Sequence, residues 1–204
     1  MPRPQFLLAA LLAPLTLAAQ PDAPPTTPMG FTLHTIASAP EGSKSTLLGF
    51  ETGFGFVPNL VAGLAESPAA LEAYVAIATA FEKSAFSTLE KQIVMIAASR
   101  AHDCSYCAPA HASVSINMLG LDPAAIRAAA ESRPIDDPRL EALRVFTTRV
   151  AAARGDVTRA ELDAFLAAGF SRANALDVVA GVAAKAISNY TNRLIDTPLD
   201  PQLR

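Results

Sequence analysis

The sequence predicts an all-α domain, a compact helical bundle, and three observations carry that expectation. Alanine dominates, tryptophan is absent, and no run of β-branched residues alternates with period two, which favours helix over sheet. Hydrophobic residues make up 51% and charged residues 17% of the 204, enough to bury one sizeable core. Caps of Ser, Thr and Asp recur at the spacing that short helices need.

Residues 1–20 have a positive charge at Arg3, an apolar run from Phe6 to about Ala19 and then small residues, the layout of a signal peptide. Pro14 interrupts the run, which is also shorter than the ~20 residues a membrane-spanning helix requires. Export, with a periplasmic destination, is therefore expected. Residues 21–40 are rich in proline and read as a flexible linker; the helical domain is expected over 41–204.

The segment 50–60, FETGFGFVPNL, holds glycines and Pro58 that exclude a continuous helix and phenylalanines that seek burial. It reads as a packed loop, either a lid on the bundle or, through residues such as Phe56, one wall of a binding pocket. Ser67 with Pro68 opens the next helix. Ser87 and Glu90 form the capping box of another, Asp-Pro pairs at 122–123 and 137–138 open two more, and Thr158 with Glu161 repeats the box. The second Asp-Pro helix is expected to end near Gly155, and the last helix, long and mostly apolar, to stop at Pro198. Within it Lys185, Asn189, Tyr190 and Asn192 are polar in apolar surroundings; pocket lining, capping of the chain end and subunit contacts all explain them.

Both cysteines and two of the three histidines fall in SRAHDCSYCAPAH, residues 99–111. On a helix, Cys104, Cys107 and His111 share one face with Val114 and Met118. Asp103 or a neighbour is expected to cap that helix and leave Cys104 at its N-terminal end, where the dipole favours a thiolate. His111, one turn beyond Cys107, is placed to take a thiol proton directly or through a water. Pro109 is expected to kink the helix. A closed zinc site lacks a fourth ligand beyond His102 and Asp103, so no metal and no cofactor is expected. His34 has no evident partner, and His102 is expected to face solvent. The net charge of -3 gives no basic footprint for nucleic acid, so a small neutral molecule or a protein partner is expected.

The stretch LEKQIVMIAASRAHDCSYCAPAH, with GFVPNL, SPAALEAYVAIATAFEKS and ISNYTNRL, resembles the carboxymuconolactone decarboxylase family, in particular its alkylhydroperoxidase D-like branch. The resemblance implies an all-helical, homo-oligomeric protein, a trimer or a multiple of it. It also implies that Cys107 attacks peroxide, that Cys104 resolves the intermediate into a disulfide, and that His111 belongs to a proton relay. The dipole argument favours Cys104 as the more acidic thiol; the resemblance favours Cys107. The family's relay glutamate falls on Gln92, which cannot carry a proton, leaving Glu90 as the candidate substitute. Tyr106 replaces a histidine between the cysteines, and Tyr106, Phe56 and Asn189 are the candidate substrate-binding residues. The first expectation is a thiol-dependent peroxidase or disulfide oxidoreductase served by an unknown dithiol reductant. A lyase working by proton transfer and a non-enzymatic helical oligomer with an oxidised clasp are the rivals.

Overall fold

The computed structural model describes residues 23–204; the expected signal peptide lies outside them. Nine helices are described: α1 Glu41–Phe54, α2 Asn59–Leu64, α3 Pro68–Glu82, α4 Thr88–Ala101, α5 Cys107–Ser113, α6 Pro123–Ala130, α7 Pro138–Ala152, α8 Arg159–Ala167 and α9 Arg172–Ile195. A π-helical turn at Val114–Met118 extends α5, and a 3-10 turn at Pro201–Leu203 ends the chain. Among the described residues there is no strand, only an isolated bridge between Thr26 and Thr32. The all-α expectation is borne out.

The helix starts follow the cap chemistry. Ser67, Asp122 and Asp137 each accept backbone N–H groups of the first turn, with proline at the first helical position, and Ser87–Glu90 and Thr158–Glu161 are full capping boxes. Ser171 and Asn174 form a third box at the head of α9, which the sequence reading did not single out. Helix α9 ends at Asp196 in the left-handed region, ahead of Pro198.

Helix α4 runs through the centre, buried almost all round, and packs on α5, α6, α7 and α9. The larger core joins Phe81, Ile93, Val94, Ile126, Leu143 and Val178, with Phe146, Phe165 and Phe170 stacked at ring separations of 4.2 and 4.5 Å. Gly181 brings α9 close to it: a Cβ there would lie 2.6 Å from Val94 Cγ1 and 2.9 Å from Phe81 Cε2. A second, smaller core gathers Leu47 of α1, Leu60, Val61 and Leu64 of α2, Leu71 of α3 and Leu203 around Cys104, Tyr106 and Cys107. The cysteine pair is thus part of the packing between α1–α2 and the rest of the bundle.

Two local expectations are corrected. Helix α1 carries on through Gly53 to Phe54, and the break comes at Gly55, whose φ of 79° suits glycine, so the loop is shorter than the sequence implied. From about Thr27 the segment read as a linker lies against the body: Thr27, Leu33 and Ala39 are buried, and the His34 N–H donates to Ala62 O at 3.1 Å. Leu33 and Ala39 supply apolar area that the proline-rich composition concealed.

Candidate active site

The turn between α4 and α5 sets the sulfurs. His102 closes α4, Asp103 takes a left-handed φ of 51°, and the Cys104 N–H returns to Ser99 O at 3.0 Å. Cys104 therefore stands before α5 and not inside it, contrary to expectation, and of the expected caps, Asp103 or a neighbour, it is the neighbour that serves. The cap is sulfur: the Cys107 N–H donates to Cys104 Sγ at 3.1 Å. Pro109 falls in the first turn, where a missing N–H leaves no bond unmade, so it introduces no kink. The π-turn then rotates the chain, leaving Val114 on the inner face but Met118 48% exposed.

Both cysteines are reduced and buried. Burial opposes ionisation of Cys107. It is outweighed by the hydrogen bond from Cys104, the charge of Lys185 and the side-chain hydrogen bond from Asn192, so that the Cys107 thiol is lowered to about 6. Asn192 Nδ2 lies 3.1 Å from Cys107 Sγ. Cys104 is pushed the other way, because its proton is held in the hydrogen bond to Cys107, with burial adding to the effect. Within the pair Cys107 is the more acidic sulfur and Cys104 the one that keeps its proton. The N–H that the dipole argument relied on does reach the sulfur of Cys104 and favours its thiolate, but the hydrogen bond to Cys107 and burial outweigh it, while Asn192 and Lys185 act on Cys107.

His111 bonds to neither sulfur. Its Nδ1 lies 2.9 Å from Gln92 Oε1 and its Nε2 3.1 Å from Lys185 Nζ. An ammonium can only donate, so Nε2 accepts, and Nδ1–H donates to the Gln92 carbonyl. Burial and Lys185 hold the imidazole well below its ordinary 6.5, hence neutral. A direct proton transfer from Cys107 to His111 is not built into this arrangement; the expectation overlooked Lys185.

Glu90 is not in this cluster. Its carboxylate takes the Ser87 N–H at 2.8 Å and Arg139 Nε at 3.1 Å, at the far end of α4, where the capping box fixes it. Gln92, two residues on, is the side chain of α4 that faces His111.

A cavity of about 340 Å³ opens on Cys107, His111, Lys185 and Gln92, walled by Phe50, Phe54 and Tyr74. Tyr106 lines it but turns its hydroxyl to Asp200 Oδ2 at 2.6 Å, and burial with that bond raises its pKa strongly. Phe56 packs edge-on against Phe54 and is not among the lining residues, so the phenylalanine wall comes from the end of α1 instead. Asn189 is fully buried, its Nδ2 3.0 Å from His102 Nδ1, and it stands behind the site without lining it. His102 is accordingly half-buried against Tyr190, and His34 has a partner after all, Glu66 Oε2 at 3.0 Å. The residues that sequence reasoning left open, Lys185 and Asn192, are those at the sulfur. With Ser188 they stand one turn apart on α9, a polar stripe at helical spacing that was the available signal.

Residues 65–148 match the model of the Carboxymuconolactone decarboxylase family, which bears out the resemblance over that segment. A search of curated proteins returns no match. Among solved structures, the alkylhydroperoxidase AhpD core of an uncharacterized peroxidase-related protein from Ralstonia eutropha JMP134 superposes with a TM-score of 0.76 at 24% identity, over 85% of this chain and 93% of that one. An uncharacterized peroxidase-related protein from Silicibacter sp. TM1040 gives 0.70 at 18%, over 92% and 97%. The debrominase Bmp8 gives 0.68 at 17%, over 80% and 89%. These likenesses place the fold with the alkylhydroperoxidase D core.

Proposed function

We propose that the protein is a thiol-dependent peroxidase that reduces hydroperoxides through a Cys104–Cys107 dithiol–disulfide cycle. The observation that carries this reading is the environment of Cys107. Its buried sulfur is favoured as a thiolate by Asn192 and Lys185, with the protonated Cys104 as hydrogen-bond partner, at the wall of a cavity. A thiolate is the form that attacks the O–O bond, and a neighbouring thiol is what converts the resulting sulfenic acid into a disulfide. Peroxidase-related proteins among the structures of like fold support the reading. The same fold in a debrominase marks that the reaction is set by the site and not by the bundle. A lyase acting by proton transfer has no use for paired sulfurs.

The remaining parts of the proposal are a dithiol protein as reductant, assembly into a homo-oligomer, and export directed by residues 1–20. The test of the activity uses two variants. Cys107→Ser is expected to abolish peroxide consumption, whereas Cys104→Ser still reacts with one equivalent and then stalls. Consumption by Cys107→Ser at the wild-type rate overturns the assignment.

A further inference from the structure

Lys185 sits 2% exposed in the middle of α9, and no ion pair joins it to a carboxylate among the described residues. A buried ammonium without a carboxylate is expensive, and its retention calls for a reason. Its Nζ donates to His111 Nε2 at 3.1 Å, and it lines the cavity together with Cys107. The titratable groups around it are His111, Cys107 and Cys104 on the α5 side, His102 at the end of α4, and Tyr74 and Glu82 on α3.

Among the other groups that line the cavity, none outside the cysteine pair can supply a proton to the first leaving oxygen, and the Cys104 proton is kept for the resolving step. The Nδ1 proton of His111 is held on the Gln92 carbonyl, which cannot accept it outright, and Nε2 is already an acceptor. The Tyr74 hydroxyl is pushed up to about 12 by burial, and Tyr106 gives its hydrogen to Asp200. Glu82 is paired with Lys91 at 3.2 Å and its side chain is 60% exposed, at the solvent end.

We propose that Lys185 is the acid–base residue of the dithiol cycle, its ammonium protonating the oxygen expelled from the peroxide and its amine later taking the proton of the regenerated Cys107 thiol. The inference rests on the peroxidase reading above. In the first step the Cys107 thiolate attacks the hydroxyl oxygen of ROOH. An S–O bond forms, the O–O bond breaks, and its electron pair leaves as RO⁻, which takes a proton from Lys185 to become ROH. Cys107 keeps the OH as a sulfenic acid. The Cys104 thiol displaces that oxygen: an S–S bond forms, the S–O bond breaks, and the OH leaves with the Cys104 proton as water. An external dithiol then reduces the disulfide, becoming a disulfide itself. The neutral Lys185 amine removes the proton from Cys107, restoring ammonium and thiolate.

The test varies the leaving group. An alkoxide needs a proton to depart, whereas the carboxylate expelled from a peracid does not. Thiol loss of the reduced protein is followed by stopped flow with cumene hydroperoxide and with peracetic acid, in wild type, Lys185→Arg and Lys185→Met. Arginine keeps the positive charge but cannot give up a proton. Loss of a general acid typically costs about 10²-fold or more, so either variant is expected to lose at least about tenfold more rate on cumene hydroperoxide than on peracetic acid. Alkylation of Cys107 near neutral pH is expected to survive in Lys185→Arg and to fall in Lys185→Met, a difference that general misfolding would not produce. A ratio of losses under about tenfold in the folded variants overturns the role of Lys185 while leaving the peroxidase reading standing. Failure of wild type to lose thiols with either oxidant overturns that reading, and this one with it.

Discussion

Asn192 Nδ2 donates to Cys107 Sγ across 3.1 Å, from α9 to the first residue of α5, with both residues buried. Asn192 Oδ1, also buried, has no partner among the described residues. A donor aimed at sulfur stabilises the thiolate over the thiol, and a hydrogen bond to a charged group is worth about 1.5–3 kcal/mol, or about one to two pKa units. Asn192→Leu is therefore expected to move the inflection of Cys107 alkylation upward from about 6. An unmoved iodoacetamide pH profile contradicts the assigned contact.

Glu90 tests the opposite point. Glu90→Gln loses the Arg139 ion pair and weakens the Ser87 box, and about 1 kcal/mol of stability is expected to go with them. Chemical denaturation reads that loss. The Cys107 alkylation profile is expected to stay in place, and a shift of it would show that Glu90 couples to the sulfur.

The contact between Gln92 and His111 gives a spectroscopic expectation. In wild type the imidazole stays neutral well below 6.5, because burial and Lys185 both oppose its charge. Gln92→Glu places a carboxylate against Nδ1 and favours the imidazolium, so the His111 ring resonances are expected to titrate at higher pH than in wild type. Identical titrations would mean that the two side chains do not meet.

Stability of the reduced protein is expected to rise between about pH 6 and pH 9. Cys107 titrates at about 6 when folded against 9.0 ordinarily, so in that window the unfolded chain binds the extra proton. The stabilisation is fully present above the unfolded value and is lost as pH falls through the folded one. His111, depressed in the folded state, adds destabilisation in the same direction below 6.5. Thermal unfolding of wild type and Cys107→Ser across this range checks the sign: the variant is expected to show the flatter profile, and equal slopes contradict the account.

The helices were legible because their starts are chemical. Ser67, Ser87, Asp122, Asp137 and Thr158 cap where their side chains can reach a free N–H, which is a local matter. The turn at Asp103 was not legible, since a non-glycine residue in the left-handed region announces nothing in the sequence, and it removed Cys104 from the helix that the spacing suggested. The motif located the sulfurs but not their electrostatics. Those come from α9, whose Lys185 and Asn192 act on Cys107 in a helix that Gly181 lets pack close to Val94 of α4. Likewise Glu90 and Gln92 differ by two positions in sequence and by opposite directions on α4, a distinction that cap geometry decides.

The central claim is that Cys107 and Cys104 form one two-electron redox unit driven by peroxide. Its most direct measurement is the free-thiol count of the reduced wild-type protein after one equivalent of cumene hydroperoxide, with the linkage mapped by peptide mass spectrometry. The account predicts the loss of both thiols, one equivalent of cumyl alcohol, and a disulfide joining Cys104 to Cys107 within one chain. Retention of both thiols in the presence of peroxide would contradict it.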